Sequence, residues 1–331
     1  FPSEVTFQVY AALDETMHQA FNYSNVMATK YVSAYFNALN LHFRGMRNPK
    51  IKFQVVLYPT ETMLSAKPNL TLDDENVDGN KSLVSVFDYT QTRPGFNYSD
   101  IIFVFTNRKV ITANDEEKKN NRSRGITWEG GICNASKNVV ILSDTGTRFG
   151  ALPDAGFLLS LLLGAPKECT VNYTRLKANR RLFDLSDCAA SNITTFLKKL
   201  WDDNPNRTNA CFMKRYSTSP SVTHNFRELP SSIVNENAIC KTKEEKPKGR
   251  KDDCAVTYQR DRKEHKSGAC AFECCPPGNG RKKKYYAFDG KRCGSSWLEI
   301  CILGTCQNDT DALDRMNAER QRLGFSNLSF E

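Results

Sequence analysis

The spacing of apolar residues changes several times along the first 240 positions. Val5-Thr6-Phe7-Gln8-Val9-Tyr10 has the composition of a strand, and Ile51-Lys52-Phe53-Gln54-Val55-Val56-Leu57 alternates as a half-buried strand does. Between them, Val26, Tyr31, Val32, Tyr35, Phe36 and Leu39 recur at helical spacing over 25–41, with Ser24 placed to cap. Leu83 to Tyr89 predicts a weaker helix. Ile101-Ile102-Phe103-Val104-Phe105 is wholly apolar, which suits a central strand covered on both faces. Ile126-Thr127-Trp128 and Val139-Val140-Ile141-Leu142 flank Cys133 and predict an edge pair. The run Phe157–Leu163 is apolar on nearly every side, so its helix should pass through the interior. Pro153 and Asp154 stand in its first turn, Gly164 follows its last apolar residue, and Pro166 lies beyond. Strand–helix–strand order closed by a central helix predicts an α/β domain with a mixed sheet.

The pattern then fades. A charged Pro/Gly segment, Lys241-Thr242-Lys243-Glu244-Glu245-Lys246-Pro247-Lys248-Gly249-Arg250, separates an α/β domain over 1–240 from a basic, cysteine-rich domain over 241–331. The second part has few helix or sheet signals. Residues 1–240 hold Cys133, Cys169, Cys188, Cys211 and Cys240; the remainder holds Cys254, Cys270, Cys274, Cys275, Cys293, Cys301 and Cys306. Both counts are odd, so complete internal pairing requires at least one bridge across the boundary.

Twelve cysteines in 331 residues accompany eleven Asn-x-Ser/Thr acceptors: Asn22, Asn69, Asn80, Asn97, Asn121, Asn134, Asn172, Asn192, Asn206, Asn308 and Asn327. That combination favours disulfides over metal ligands, Cys301-x4-Cys306 included, and predicts a secreted glycoprotein. No apolar run is long enough to span a membrane, and any leader segment is expected to have been removed. The formal charge is +9. From Lys241 to Arg292 sixteen Lys/Arg face eight Asp/Glu, and Arg281-Lys282-Lys283-Lys284 runs into Tyr285 and Tyr286. In an extracellular protein such a run points to a heparin-like glycosaminoglycan or an acidic protein surface, not to nucleic acid. A solvated loop without a partner is the plain alternative.

The stretch Phe157–Glu168 has the frame of a zinc-protease helix, HExxHxxGxxH, with its glycine at Gly164. The three ligand positions then fall on Phe157, Leu161 and Lys167, and the general-base position on Leu158. Zinc needs lone pairs and bound water needs a base; two hydrocarbon side chains, a phenyl ring and an ammonium offer neither. Only His18, His42, His224 and His265 occur, none at ligand spacing. No Gly-x-Ser-x-Gly elbow is present, and Asp73-Asp74 and Glu116-Glu117 lie in polar stretches that read as solvated loop. No cofactor is expected.

Several landmarks, taken in order, resemble the reprolysin-type metzincins, most closely the tick salivary metalloproteases. They are Val5–Tyr10, Lys52–Val56, Ser99–Phe105, Trp128-Glu129-Gly130-Gly131-Ile132-Cys133, the degenerate helix to Gly164, a Met-turn-like Cys211-Phe212-Met213, and Asp289-Gly290-Lys291-Arg292-Cys293-Gly294 continuing to Cys301 and Cys306. The resemblance implies a metzincin-like fold, a Cys133–Cys240 bridge, and substrate-side placement of the edge around Trp128 and Glu129. It also implies a host-directed role. With the metal site erased, the reading is a pseudoprotease that binds a host protein of haemostasis, complement or immune signalling without cutting it. Met213, with no metal above it, is left as a core gap-filler. A glycosaminoglycan-anchored protein, and a hydrolase with an unrecognised site, are the alternatives.

Overall fold

A computed structural model gives the fold. It describes residues 1–56, 75–91, 99–112, 124–134, 136–170, 185–213, 228–234, 236, 257–258, 270–274, 283–296 and 298–309. The chain divides into two units, the first reaching Glu228 and the second starting at Leu229, ahead of the charged segment.

In the first unit the order is β1 (Glu4–Leu13), α1 (Glu15–Ala20), α2 (Asn25–Phe43), β2 (Lys50–Val56), β3 (Asn76–Asp78), α3 (Gly79–Gln91), β4 (Ile101–Thr106), β5 (Lys109–Ile111), β6 (Gly125–Thr127), β7 (Val139–Ser143), α4 (Leu152–Leu162), α5 (Lys167–Thr170), α6 (Asp187–Asp203) and α7 (Pro205–Met213). Five strands form one sheet in the order β2-β1-β4-β7-β6. The first four are mutually parallel and β6 runs antiparallel to β7. This is a mixed α/β unit with a mostly parallel sheet, and the predicted edge pair is present.

β4 shows why the sheet holds. All six of its residues are buried. Ile102 and Val104 join Tyr10, Val139 and Ile141 in a cluster with Leu83 and Val86 of α3. Phe103 and Phe105 alternate with them. They meet the aromatic side of α2, with Phe36–Phe103 centroids 5.3 Å apart and Tyr35–Phe105 5.1 Å apart. Ser24 caps α2 as expected, accepting from the Met27 N–H. β2, at the other edge, exposes Lys50, Lys52 and Gln54 between buried Ile51, Phe53 and Val55. Charged edge residues of this kind discourage pairing with another chain. Asn40 of α2 adds a second device: its Nδ2 donates to the Phe53 carbonyl (3.0 Å) and its Oδ1 accepts from the Phe53 N–H (2.8 Å). One side chain thus occupies both backbone groups of an edge residue.

Two expectations need correction. Cys133 bonds to Cys211 rather than Cys240. With Cys169–Cys188, that pairing uses all four cysteines up to Glu228. Cys240 lies outside the described residues, and with it the bridge that the odd counts call for. Cys211-Phe212-Met213, read as turn-like, forms the last turn of α7. Phe212 stacks on Trp201 of α6 at 6.0 Å and meets Phe7 of β1 edge-on at 5.8 Å, a packing that holds this segment helical.

The second unit has more sheet than its sequence suggests. After α8 (Pro230–Ile233) come β8 (Thr257–Tyr258), β9 (Ala271–Cys274), β10 (Lys283–Tyr286), β11 (Glu299–Ile302) and β12 (Thr305–Asn308). β8, β9 and β10 form an antiparallel sheet, and β11 and β12 a hairpin. Strands of two to four residues are too short to display a period. Cys301 and Cys306 face each other across the hairpin but bond elsewhere, as Cys270–Cys301 and Cys293–Cys306.

Candidate functional site

The candidate site is built around α4. Pro153 opens the helix and Asp154 stands in its first turn. Its end is a Schellman motif: the Gly164 N–H donates to the Leu161 carbonyl and the Ala165 N–H to the Ser160 carbonyl, each at 2.9 Å. Gly164 takes φ +90°, and a Cβ there would lie 2.3 Å from the Phe196 ring. Only glycine meets both demands.

Every residue of α4 is buried except Asp154 and Phe157. These two share a helix face with Leu158 and Leu161, at the i, i+3, i+4, i+7 spacing. Phe157, Leu158 and Leu161 are three of the four frame positions. Leu158 and Leu161 are buried, Phe157 is half-buried, and Lys167 is exposed at the start of α5. The face abuts the edge strand: a Cβ on Gly125 of β6 would lie 2.6 Å from Leu158 Cδ1. After β6 the chain crosses the helix end, where the Gly130 N–H donates to the Leu161 carbonyl (2.9 Å) and the Ile132 N–H to the Leu162 carbonyl (3.2 Å). The structure therefore brings Leu161, one of the frame positions, against the Trp128–Cys133 segment. Trp128 is half-buried, packed against the cluster on the α3 side of the sheet, while Glu129 is exposed.

Charge gathers at the opposite, N-terminal end of α4. Asp144, just after β7, accepts at Oδ1 from the Tyr31 hydroxyl (2.8 Å) and the Gly146 N–H (3.0 Å), and at Oδ2 from the Ala151 N–H (3.0 Å). Burial raises its pKa, and those three hydrogen bonds only partly offset the effect. Tyr35 lies within reach of this charge. Burial first, then the Asp144 carboxylate, pushes the Tyr35 hydroxyl well above the ordinary tyrosine value. That hydroxyl has no hydrogen-bond partner among the described residues. Arg124 reaches Asp154 at 3.8 Å and donates to the Gly150 carbonyl at 2.6 Å, holding the entry to the helix. A parallel arrangement follows β1, where buried Asp14 accepts from the Thr16 and Thr106 hydroxyls and the Met17 N–H. Sequence reasoning passed over both aspartates: Asp14 is a readable cap on Met17, while the Thr106 and Tyr31 partners come from distant elements. α6 was also missed, although Ser186 as cap and Ala189, Ile193 and Leu197 at helical spacing carry a readable signal.

In the second unit Lys283 and Lys284 belong to β10, opposite Cys274 and Glu273 of β9; their side chains, and Arg281 and Lys282 altogether, lie outside the described residues. Tyr285 is buried and stacks on Phe272 at 5.6 Å, so its ring serves the unit's own packing. Tyr286 is half-buried. The Sγ atoms of Cys270, Cys293 and Cys306 lie within 4.8 Å of one another, a metal-like spacing, yet all three are locked in disulfides and offer no thiolate. Of the histidines, His18 is half-buried and His42 buried; His224, His265 and the Met213 side chain are outside the described residues. Six acceptor asparagines are described. Asn22, Asn80, Asn192, Asn206 and Asn308 are exposed and Asn134 is half-buried, while Asn69, Asn97, Asn121, Asn172 and Asn327 lie outside. So do Cys240, Cys254 and Cys275, and the side chain of Cys274.

No protein-family model and no curated protein matches the chain. Among solved structures, a likeness exists to a chain in "Structure of a chaperone-substrate complex", at 12% identity and a TM-score of 0.33. It covers 49% of this chain and 24% of that one, so this chain spans well under two thirds of its neighbour's length. A superposition this partial does not define a fold. What the residues define is a disulfide-bonded, mixed α/β protein. The four bridges among the described residues fit an oxidising compartment such as the extracellular space. No described helix is long and apolar enough to cross a membrane.

Proposed function

We propose that the first unit is a metzincin-like domain of the reprolysin type without metalloprotease chemistry. In this reading the protein is a secreted glycoprotein that binds a host protein of haemostasis, complement or immune signalling and modulates it without cleavage. One observation carries the reading: the single face of α4 that reaches toward the surface, beside edge strand β6, bears Phe157, Leu158 and Leu161 where a hydrolase of this type needs lone pairs and a base. Apolar side chains there remove the cost of burying unliganded polar groups, so the helix is stable with no ion bound. Half-buried Phe157, backed by buried Leu158 and Leu161, suits contact with protein better than bond-breaking. Purified protein is expected to carry no stoichiometric zinc by elemental analysis, to melt at the same temperature with and without EDTA, and to leave a peptide library uncut. Cleavage that EDTA abolishes would overturn the reading. Cross-linking in plasma should then capture a partner that a Phe157→Glu variant loses.

The charge surplus of the second unit favours an additional anchoring role on sulfated glycosaminoglycan. Retention on heparin that disappears at moderate salt would support it; Ala replacement of Arg281 to Lys284 with unchanged retention would remove it.

A further inference from the structure

Five large apolar side chains are exposed among the described residues: Phe1, Tyr23, Val26, Met27 and Val84. Three of them fall in one five-residue stretch, with Tyr23 59%, Val26 65% and Met27 47% exposed. The stretch is well held. Asn22 and Tyr23 both take left-handed backbone angles, φ 51° and 57°. The Asn22 N–H donates to the Gln19 carbonyl at 2.9 Å and the Tyr23 N–H to the His18 carbonyl at 2.8 Å. The Tyr23 hydroxyl donates to Glu15 at 2.8 Å. Exposed apolar side chains gathered in one short stretch mark a place where another group can pack.

The residue next to it supplies one. Asn22 is exposed and opens the acceptor Asn22-Tyr23-Ser24. We propose that an N-linked glycan on Asn22 lies over Tyr23, Val26 and Met27 and completes the surface there. This rests on the reading of the protein as secreted. Pyranose rings carry an apolar C–H face, which packs on an aromatic ring and on neighbouring aliphatic groups by burying area on both sides. The Tyr23 ring, tied by its hydroxyl to Glu15, is held in place for that contact. In the linkage step the Asn22 amide nitrogen bonds to C1 of a lipid-pyrophosphate-linked oligosaccharide. The C1–O bond to pyrophosphate breaks, pyrophosphate leaves with the electron pair, and the amide loses one proton.

Ser24 serves two purposes. Its hydroxyl completes the acceptor sequence, and in the fold the same oxygen accepts from the Met27 N–H to cap α2.

The double use also permits a clean test. Ser24→Asp keeps a good helix cap but abolishes the acceptor; Ser24→Thr keeps both. Protein from a eukaryotic secretory host is examined by glycopeptide mass spectrometry and by fluorescence of a hydrophobic-surface dye. Wild type and Ser24→Thr should carry glycan at Asn22 and bind little dye. Ser24→Asp should lack it, melt as wild type does, and bind severalfold more dye, an increase that Val26→Ser with Met27→Ser cancels. Glycan at Asn206 and Asn308 but none at Asn22, or dye binding unchanged in Ser24→Asp, overturns the proposal and leaves the secretory reading standing. A chain unmodified at every acceptor overturns both.

Discussion

Tyr35 has a fully buried hydroxyl with no partner among the described residues, beside a buried carboxylate. Such a group bears a desolvation cost that nothing returns, so Tyr35→Phe should stabilise the first unit by about 1 kcal/mol, read as a higher midpoint in denaturant. Asp144 behaves differently, because its oxygens are hydrogen-bonded and its pKa in the fold lies above the ordinary 3.8. A carboxyl whose pKa rises on folding binds its proton more tightly folded than unfolded. Its proton-linked stability is complete below the ordinary value and lost as pH rises through the folded one. Melting curves of wild type and Asp144→Asn, taken from about pH 3 to pH 8, should show the wild-type advantage largest in acid and shrinking upward. A constant difference would mean the charge is not felt. Neither residue announces itself in the sequence. Tyr35 reads correctly as one of a helical apolar set, but the charge beside it comes from a position more than a hundred residues away.

Elements were legible where a period runs long enough. α2 with its Ser24 cap, the alternation of β2, the unbroken apolar β4, and α4 between Pro153 and Gly164 all follow from local pattern and end signals. β3, β5 and the strands of the second unit did not, since three or four residues cannot establish a period. What sequence pattern never shows is a side chain standing in for backbone, as Asn40 does along the rim of β2. Asn40→Ala leaves the N–H and carbonyl of Phe53 unpaired beneath α2. It should cost about 1–3 kcal/mol, measured as a fall in denaturation midpoint with unchanged slope. Asn40→Asp, which keeps an acceptor but loses the donor, should fall between the two.

For the whole molecule, the chain divides into two units at Glu228, and Cys133 bonds to Cys211 where the resemblance implied Cys240. Partial proteolysis and mass spectrometry of unreduced protein should recover Cys133 linked to Cys211, Cys169 to Cys188, Cys270 to Cys301 and Cys293 to Cys306. No linked peptide should join a position before Leu229 to one after it. Family landmarks suggested where a catalytic centre would stand, and those places hold a phenylalanine, two leucines and a lysine. The strand order β2-β1-β4 also has a consequence in time. Val9 pairs with Ile101, so half the partners of β1 are encoded some ninety residues downstream. At synthesis rates of about 5–20 residues per second, the first strand emerges and then waits roughly 5–20 s before its inner neighbour exists. For that interval the nascent chain depends on whatever else in its surroundings will hold an unfinished apolar ribbon apart from its siblings.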